Sequence, residues 1–155
     1  MKRSPVTREI LVIVHPSRPW EYRDEIQSRR RAAVLKRAEL ILEKLVNRLR
    51  LKRRPYTVMV GPYLNVGCGL SEHAIDQLRR LARLADVRLP GGRDRDSLYV
   101  AGIRIGCHGL RPRRVRVAGF YRDLCCEAVA DGIRARCAHE VIIDRHLTRA
   151  CPPGL

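Results

Sequence analysis

Residues 115–144 run VRVAGFYRDLCCEAVADGIRARCAHEVIID. An apolar run, Val115-Arg116-Val117-Ala118, is followed by Gly119, a cysteine pair at Cys125-Cys126, and a second apolar run, Val141-Ile142-Ile143-Asp144. Short apolar runs rich in β-branched residues and bounded by a glycine predict strands, so the segment is expected to form strand, tight turn, helix, strand. The turn places Cys125 near the first turn of the helix. There the unpaired backbone N–H groups and the helix dipole favour a thiolate over a thiol, which is where a nucleophilic cysteine would sit.

Outward from this unit, residues 9–14 (EILVIV) form a continuous apolar run ending at His15-Pro16, the pattern of a strand buried on both faces of a parallel sheet. Pro16, Pro19 and Trp20 mark an irregular exit, and a long helix is expected over residues 21–49. Val34, Ala38, Ile41, Leu42, Leu45 and Leu49 supply its apolar stripe. Acidic Glu21, Asp24 and Glu25 stand at its expected start and a basic cluster at its end, as the macrodipole favours. Pro55 stops the helix and residues 56–60 read as the second strand. The glycine-rich stretch 61–70 follows a strand, where open α/β sheets place ligand contacts, but it carries no phosphate-loop or dinucleotide fingerprint. Ser71 is the expected N-cap of a helix with Ile75, Leu78, Leu81, Ala82 and Ala85 on one face. A short strand at 86–89 ends at Pro90-Gly91-Gly92, and residues 100–105 read as a bent strand or tight hairpin. The alternation of strands and helices predicts an α/β fold: a single domain of three αβα layers around a mostly parallel sheet, with short flexible termini at about 1–7 and 150–155.

The spacing in the 115–144 segment carries a family resemblance. Gly119 is followed after three residues by Asp123, after one more by Cys125, and then by Glu140-Val141 opening the next strand and Asp144 closing it. This resembles the isochorismatase-like cysteine hydrolases, which include nicotinamidases. The resemblance implies a Rossmann-like architecture and a triad of a strand-end aspartate, a mid-chain lysine and the cysteine. In that chemistry the thiolate attacks a carbonyl or imine carbon, the carboxylate moves protons and the ammonium holds the site in its active protonation state. Cys125 matches the cysteine. Arg93, in the sequence Arg93-Asp94-Arg95-Asp96-Ser97-Leu98-Tyr99, stands at the lysine position; it keeps the charge and loses the compact ammonium. The end of the first strand reads Ile13-Val14-His15-Pro16, without a carboxylate, and His15 is the base that could pair with Cys125.

Charge points elsewhere. The 155 residues carry 32 Lys+Arg against 16 Asp+Glu, a net +16, and only Lys2, Lys36, Lys44 and Lys52 are lysines. Arginine grips phosphate bidentately and stacks on bases. A thermophile or a GC-rich genome explains the preference for arginine over lysine, but not the missing counter-charges. The clusters Arg29, Arg30, Arg31, Lys36, Arg37; Arg50, Lys52, Arg53, Arg54; Arg79, Arg80, Arg83; and Arg111, Arg113, Arg114 are the candidate nucleic-acid contacts. With 5% aromatic residues there are few stacking platforms, so phosphate and shape contacts should dominate.

The leading expectation is therefore a cytoplasmic, basic RNA-binding protein on a catalytically degraded hydrolase-like fold. Its partner would be structured RNA such as rRNA, together with neighbouring proteins of a ribosome or other ribonucleoprotein; DNA is the alternative nucleic acid. The alternative is an amidase using Cys125, with Arg93 and His15 beside it. No cofactor and no membrane partner are expected. Six cysteines, at 68, 107, 125, 126, 137 and 151, include no C-x-x-C pair. Cys107-His108 and Cys137-x-His139 do not match a standard zinc spacing, so no metal is expected, and both disulfides and buried free thiols stay open.

Overall fold

A computed structural model describes residues 9–61, 70–106, 114–136 and 140–152. Strand β1 (Glu9–Val14) is central. Its residues 10–14 are all buried, and alternate side chains enter two different apolar layers. Leu11 and Ile13 meet α2 (Ser28–Leu49) and α3 (Glu72–Leu84), while Ile10, Val12 and Val14 meet α4 (Arg95–Gly106) and α5 (Cys125–Arg136). Around β1 lie β2 (Tyr56–Val60), β3 (Val87–Leu89), β4 (Arg114–Phe120) and β5 (Glu140–Arg149), in the order β3-β2-β1-β4-β5 with every pairing parallel. The protein is thus the α/β, three-layer αβα fold that the strand and helix alternation predicts.

Two stretches differ from the expected elements. The helix over 21–49 is broken: α1 (Arg18–Glu21) and a 3-10 turn (Arg23–Glu25) precede α2, which begins only at Ser28. Ile26 and Gln27 are extended, and both Trp20 and Ile26 are buried. Continuing one straight helix back from Ser28 would forgo that arrangement. The acidic residues Glu21, Asp24 and Glu25 consequently lie ahead of α2, whose first turn has none.

The second difference is at 100–105, which is helical. Leu98, Ala101, Gly102 and Ile105 are its buried positions, an i, i+3, i+4, i+7 set that is a helix period and not a strand period. The β-branched residues Val100 and Ile103 concealed it. Gly102 has a packing role there, because a Cβ on it would overlap the Val129 carbonyl, and one on Gly132 the Tyr99 carbonyl. Helices α4 and α5 cross with their backbones in contact at this pair.

The start of α3 is as expected, whereas β5 runs on past Asp144 to Arg149 and the chain just beyond it is tethered. The Ser71 hydroxyl accepts a hydrogen bond from Ala74 N at 3.1 Å and donates to Glu39 Oε1 at 2.6 Å, tying the start of α3 to α2. Cys151, expected in a flexible tail, donates its backbone N–H to Asp123 Oδ1 at 2.9 Å. Most of the glycine-rich stretch after β2, and Cys68, Cys107, His108, Cys137 and His139, lie outside the described residues.

Asp144, which closes the resemblance segment, sits in an irregularity of β5 opposite the Val117/Gly119 step of β4. Its Oδ1 accepts from His146 N at 2.7 Å and its Oδ2 from Arg116 at 2.7 Å; Arg116 also donates to Glu9 at 2.8 Å. Burial opposes ionisation of Asp144, but the Arg116 and backbone hydrogen bonds outweigh it and hold its pKa low. This ladder joins β1, β4 and β5 and is structural.

Gly119 has φ of 107°, and a Cβ there would overlap the backbone of Val14 on the neighbouring strand. We expect Gly119→Ala to lower the unfolding free energy by at least about 2 kcal/mol in urea titrations, since strain and overlap add. A midpoint equal to the parent's would show that the contact is not required.

Candidate site at the carboxyl end of the sheet

Both central strands end at the same level and turn into the segments that build the site. After Val14, His15 takes a left-handed φ of 43° and its N–H donates to the Val60 carbonyl at 3.0 Å, which redirects the chain into α1. Pro19, near the start of α1, suits a first turn whose N–H groups have no helical partner. That helix lifts Arg18 and Glu21 over the strand ends. After Gly119, the Phe120–Tyr121 peptide is cis, and the Tyr121 carbonyl accepts from Leu124 N and Cys126 N as α5 begins. From β3, Gly92 and Arg93 arrive at the same end.

A cavity of about 210 Å³ opens there, lined by Arg18, Arg93, Arg95, Asp123, Leu124 and Cys125 among others. Arg93 stands 3.8 Å from Glu21 Oε2, and the Glu21 side chain is only 4% exposed. Glu21 Oε1 accepts from the Ser17 hydroxyl at 3.2 Å, whereas Oε2 has no hydrogen-bond partner. Arg18 stacks its guanidinium over Tyr22 at 4.5 Å and leaves one nitrogen buried and unsatisfied. The Tyr121 hydroxyl and His15 Nδ1 are also buried without partners. Buried polar atoms are nearly always satisfied by protein, water or ligand, so these four have bonding capacity left for water or a bound molecule.

His15 and Cys125 do not behave as an acid–base pair. The His15 Nε2–H donates to the Gly92 carbonyl at 3.1 Å, and no hydrogen bond joins the ring to Cys125. Because a carbonyl can only accept, Nδ1 is the bare nitrogen. Burial, with Arg18 and Arg93 nearby, pulls the His15 pKa from 6.5 down to about 4, so the ring is neutral at pH 7. Cys125 also departs from the thiolate expectation. Burial pushes its pKa up; the Arg18 charge pulls it down, Glu21 adds to the rise, and the thiol is the resting form. Cys126 is fully buried against the Ala118 carbonyl and is a core residue. Cys125, Cys126 and Cys151 are free thiols.

Of the residues the sequence singles out for catalysis, the fold brings Cys125 and Arg93 to one cavity, and His15 is not among its lining residues. Sequence reasoning missed Arg18, Glu21 and Tyr121. Glu21 was hidden as a helix-start acid; the signal available was a carboxylate soon after a strand end that itself lacks one. Asp123 is a turn residue engaged with Cys151.

The predicted nucleic-acid residues are dispersed. Arg29, Arg30, Lys36 and Arg37 are exposed along α2, and Arg31 donates to the Ile26 carbonyl at 3.4 Å. Arg50, Lys52 and Arg53 are exposed beyond its far end, about 33 Å away at ~1.5 Å per residue over 22 residues. Arg54 binds the Leu84 carbonyl and pairs with Asp86 at 3.1 Å, so the ends of α2 and α3 meet there and bring Arg79 and Arg83 to the same end of the sheet. Arg80 pairs with Asp76 at 2.9 Å and Arg114 with Glu140 at 3.1 Å. Arg111 and Arg113 lie outside the described residues. The described residues hold no group of three or more His, Cys, Asp or Glu able to bind a metal, and no helix among them is long and apolar enough to cross a membrane. No protein-family model, curated protein or solved structure matches the chain.

The neutral, buried His15 makes a pH prediction. Between its folded value of about 4 and 6.5 the unfolded chain binds the proton more readily, so stability rises with pH through that window and falls on acidification. From pH 7 to 4.5 the contribution lost is about 2 kcal/mol. His15→Gln should flatten the urea-derived stability profile by that amount relative to the parent; parallel profiles would contradict a depressed His15.

Proposed function

We propose that the carboxyl end of the sheet is the site of a cysteine hydrolase acting on C–N bonds, the activity of the isochorismatase-like family that residues 115–144 resemble. The observation that carries this reading is the trio Arg18, Glu21 and Tyr121, which interact electrostatically with the Cys125 thiol and each keep one buried atom without a hydrogen-bond partner. The carboxylate missing from the first strand's end is supplied by Glu21, and Arg93 stands beside it in place of the family's lysine. In this scheme Cys125 Sγ attacks an amide carbonyl carbon as its proton passes to Glu21. The adduct expels ammonia, which takes that proton, and leaves a thioester. Water, giving its proton to Glu21, then releases the acid and restores the thiol. Arg18 stabilises the thiolate as it forms.

Ammonia release from a panel of nicotinamide-like amides tests the scheme. Cys125→Ser should abolish turnover, Glu21→Gln should lower it by about 10²-fold or more, and Cys126→Ser should leave it largely intact. Wild type no faster than Cys125→Ser across the panel would overturn the assignment.

A second reading, binding of structured RNA such as rRNA, is favoured by a separate observation. Arg50, Lys52, Arg53, Arg79 and Arg83 are exposed without carboxylate partners among the described residues, and they share the amino end of the sheet, opposite the Cys125 cavity. Filter binding should show affinity falling about 10³-fold from 50 to 200 mM salt if some six phosphates are contacted. Arg53→Glu with Arg83→Glu should weaken binding while Cys125→Ser does not. Absence of a salt slope would remove this reading.

A further inference from the structure

A second cavity, of about 420 Å³, lies between α2 and the ends of β4 and β5. Its floor is apolar: Ile26, Val34, Ala38 and Phe120 line it, with Tyr121 beside them. Its rim carries four arginines, Arg30 and Arg37 from α2, Arg122 after β4 and Arg149 from β5, and among the described residues no aspartate or glutamate lines it. Arg30 and Arg37 are two helical turns apart, so they project from the same face of α2.

Three of the four guanidinium groups are uncommitted, and the fourth keeps one edge free. Arg30, Arg37 and Arg149 form no ion pair or side-chain hydrogen bond among the described residues. Arg122 is fixed in place: Nε donates to the Thr148 hydroxyl at 3.0 Å, and Nη2 to the Arg145 and Thr148 carbonyls at 3.3 Å each, which leaves Nη1 uncommitted. A guanidinium held by its own strand neighbours, with one edge free, is preorganised for an anion. Four like charges around an apolar floor also repel one another, and an anionic occupant relieves that repulsion.

We propose that this groove binds an organic anion with an apolar ring or chain and a single carboxylate or phosphate. The body would cover Ile26, Val34 and Phe120 while the charged end meets the Arg37, Arg122 and Arg149 guanidiniums. Inorganic phosphate would leave the floor in water, and a neutral aromatic would leave the four cations uncompensated; each forfeits half of the complementarity. Cys125 is not among the groove's lining residues, so binding there is independent of any chemistry at that thiol.

The probe is 1-naphthoate, titrated calorimetrically into the full chain at 150 mM salt, with 1-naphthamide and inorganic phosphate as comparators. Naphthoate should bind at least tenfold more tightly than either. Arg37→Gln with Arg149→Gln, both exposed positions, should weaken it at least tenfold, and Cys125→Ser should leave it unchanged, which separates the groove from the hydrolase reading. In the unsubstituted protein the methyl resonances of Ile26 and Val34 should shift on titration. Equal binding of naphthoate and naphthamide, or shifts confined to other methyls, would overturn the proposal. Displacement of bound naphthoate by structured RNA would overturn the small-anion assignment in favour of a nucleic-acid phosphate.

Discussion

The close approach of Gly119 to the backbone of Val14 sets the position of everything chemically interesting in this protein. These two residues are register partners at the ends of the central strands β1 and β4. One chain continues into His15, Arg18 and Glu21; the other continues into Tyr121 and Cys125. Because the strands end side by side, Arg18 and Cys125, separated by more than a hundred positions in sequence, line one small cavity. A side chain at 119 would push the strand ends apart at that level.

The cavity is electrostatically unusual for a site with a cysteine. Its cations do not make a thiolate outright, because burial of Cys125 outweighs the pull of Arg18. The same cations keep His15 neutral, since burial and two nearby guanidiniums all disfavour the imidazolium. Glu21, buried against Arg93, is one counter-charge to them, and Asp123 and Glu127 line the cavity as well. Polar atoms left without partners reduce stability, and a fold tolerates several together where a ligand or a reacting group supplies the missing bonds. The basic surface follows a different logic. Several arginines are engaged by the fold itself: Arg116 by Glu9 and Asp144, Arg54 by Asp86, and one edge of Arg122 by the end of β5. The remaining excess is divided between the two ends of the sheet, with a groove at one end and an open rim at the other.

Much of the architecture was legible without coordinates because it rests on local periodicity. The unbroken apolar run at 9–14 could only be a strand buried on both faces, and the stripe of Ala38, Ile41, Leu42, Leu45 and Leu49 could only be a helix face. Ser71 announced a helix start through its own hydroxyl. Where local composition and long-range packing disagreed, the packing prevailed. Val100, Ile103 and Gly102 suggested strand or hairpin, yet Gly102 is the point at which α4 touches α5, a fact about residue 132 that no window around residue 102 contains.

The sequence by itself determined the α/β class, the central strand, the place of Cys125 at the start of a helix after β4, and a surplus of arginine that exceeds what the fold consumes. Tertiary structure alone decided which groups accompany that cysteine: Arg18 and Glu21 lie near it, and His15 is turned toward Gly92. The physical reason is that periodicity reports which face of an element is buried, whereas a site is an intersection of strand ends. Its members are chosen by register, by the break between Glu21 and Ser28 that buries Trp20 and Ile26, and by desolvation. These are properties of the assembled core and not of any one segment.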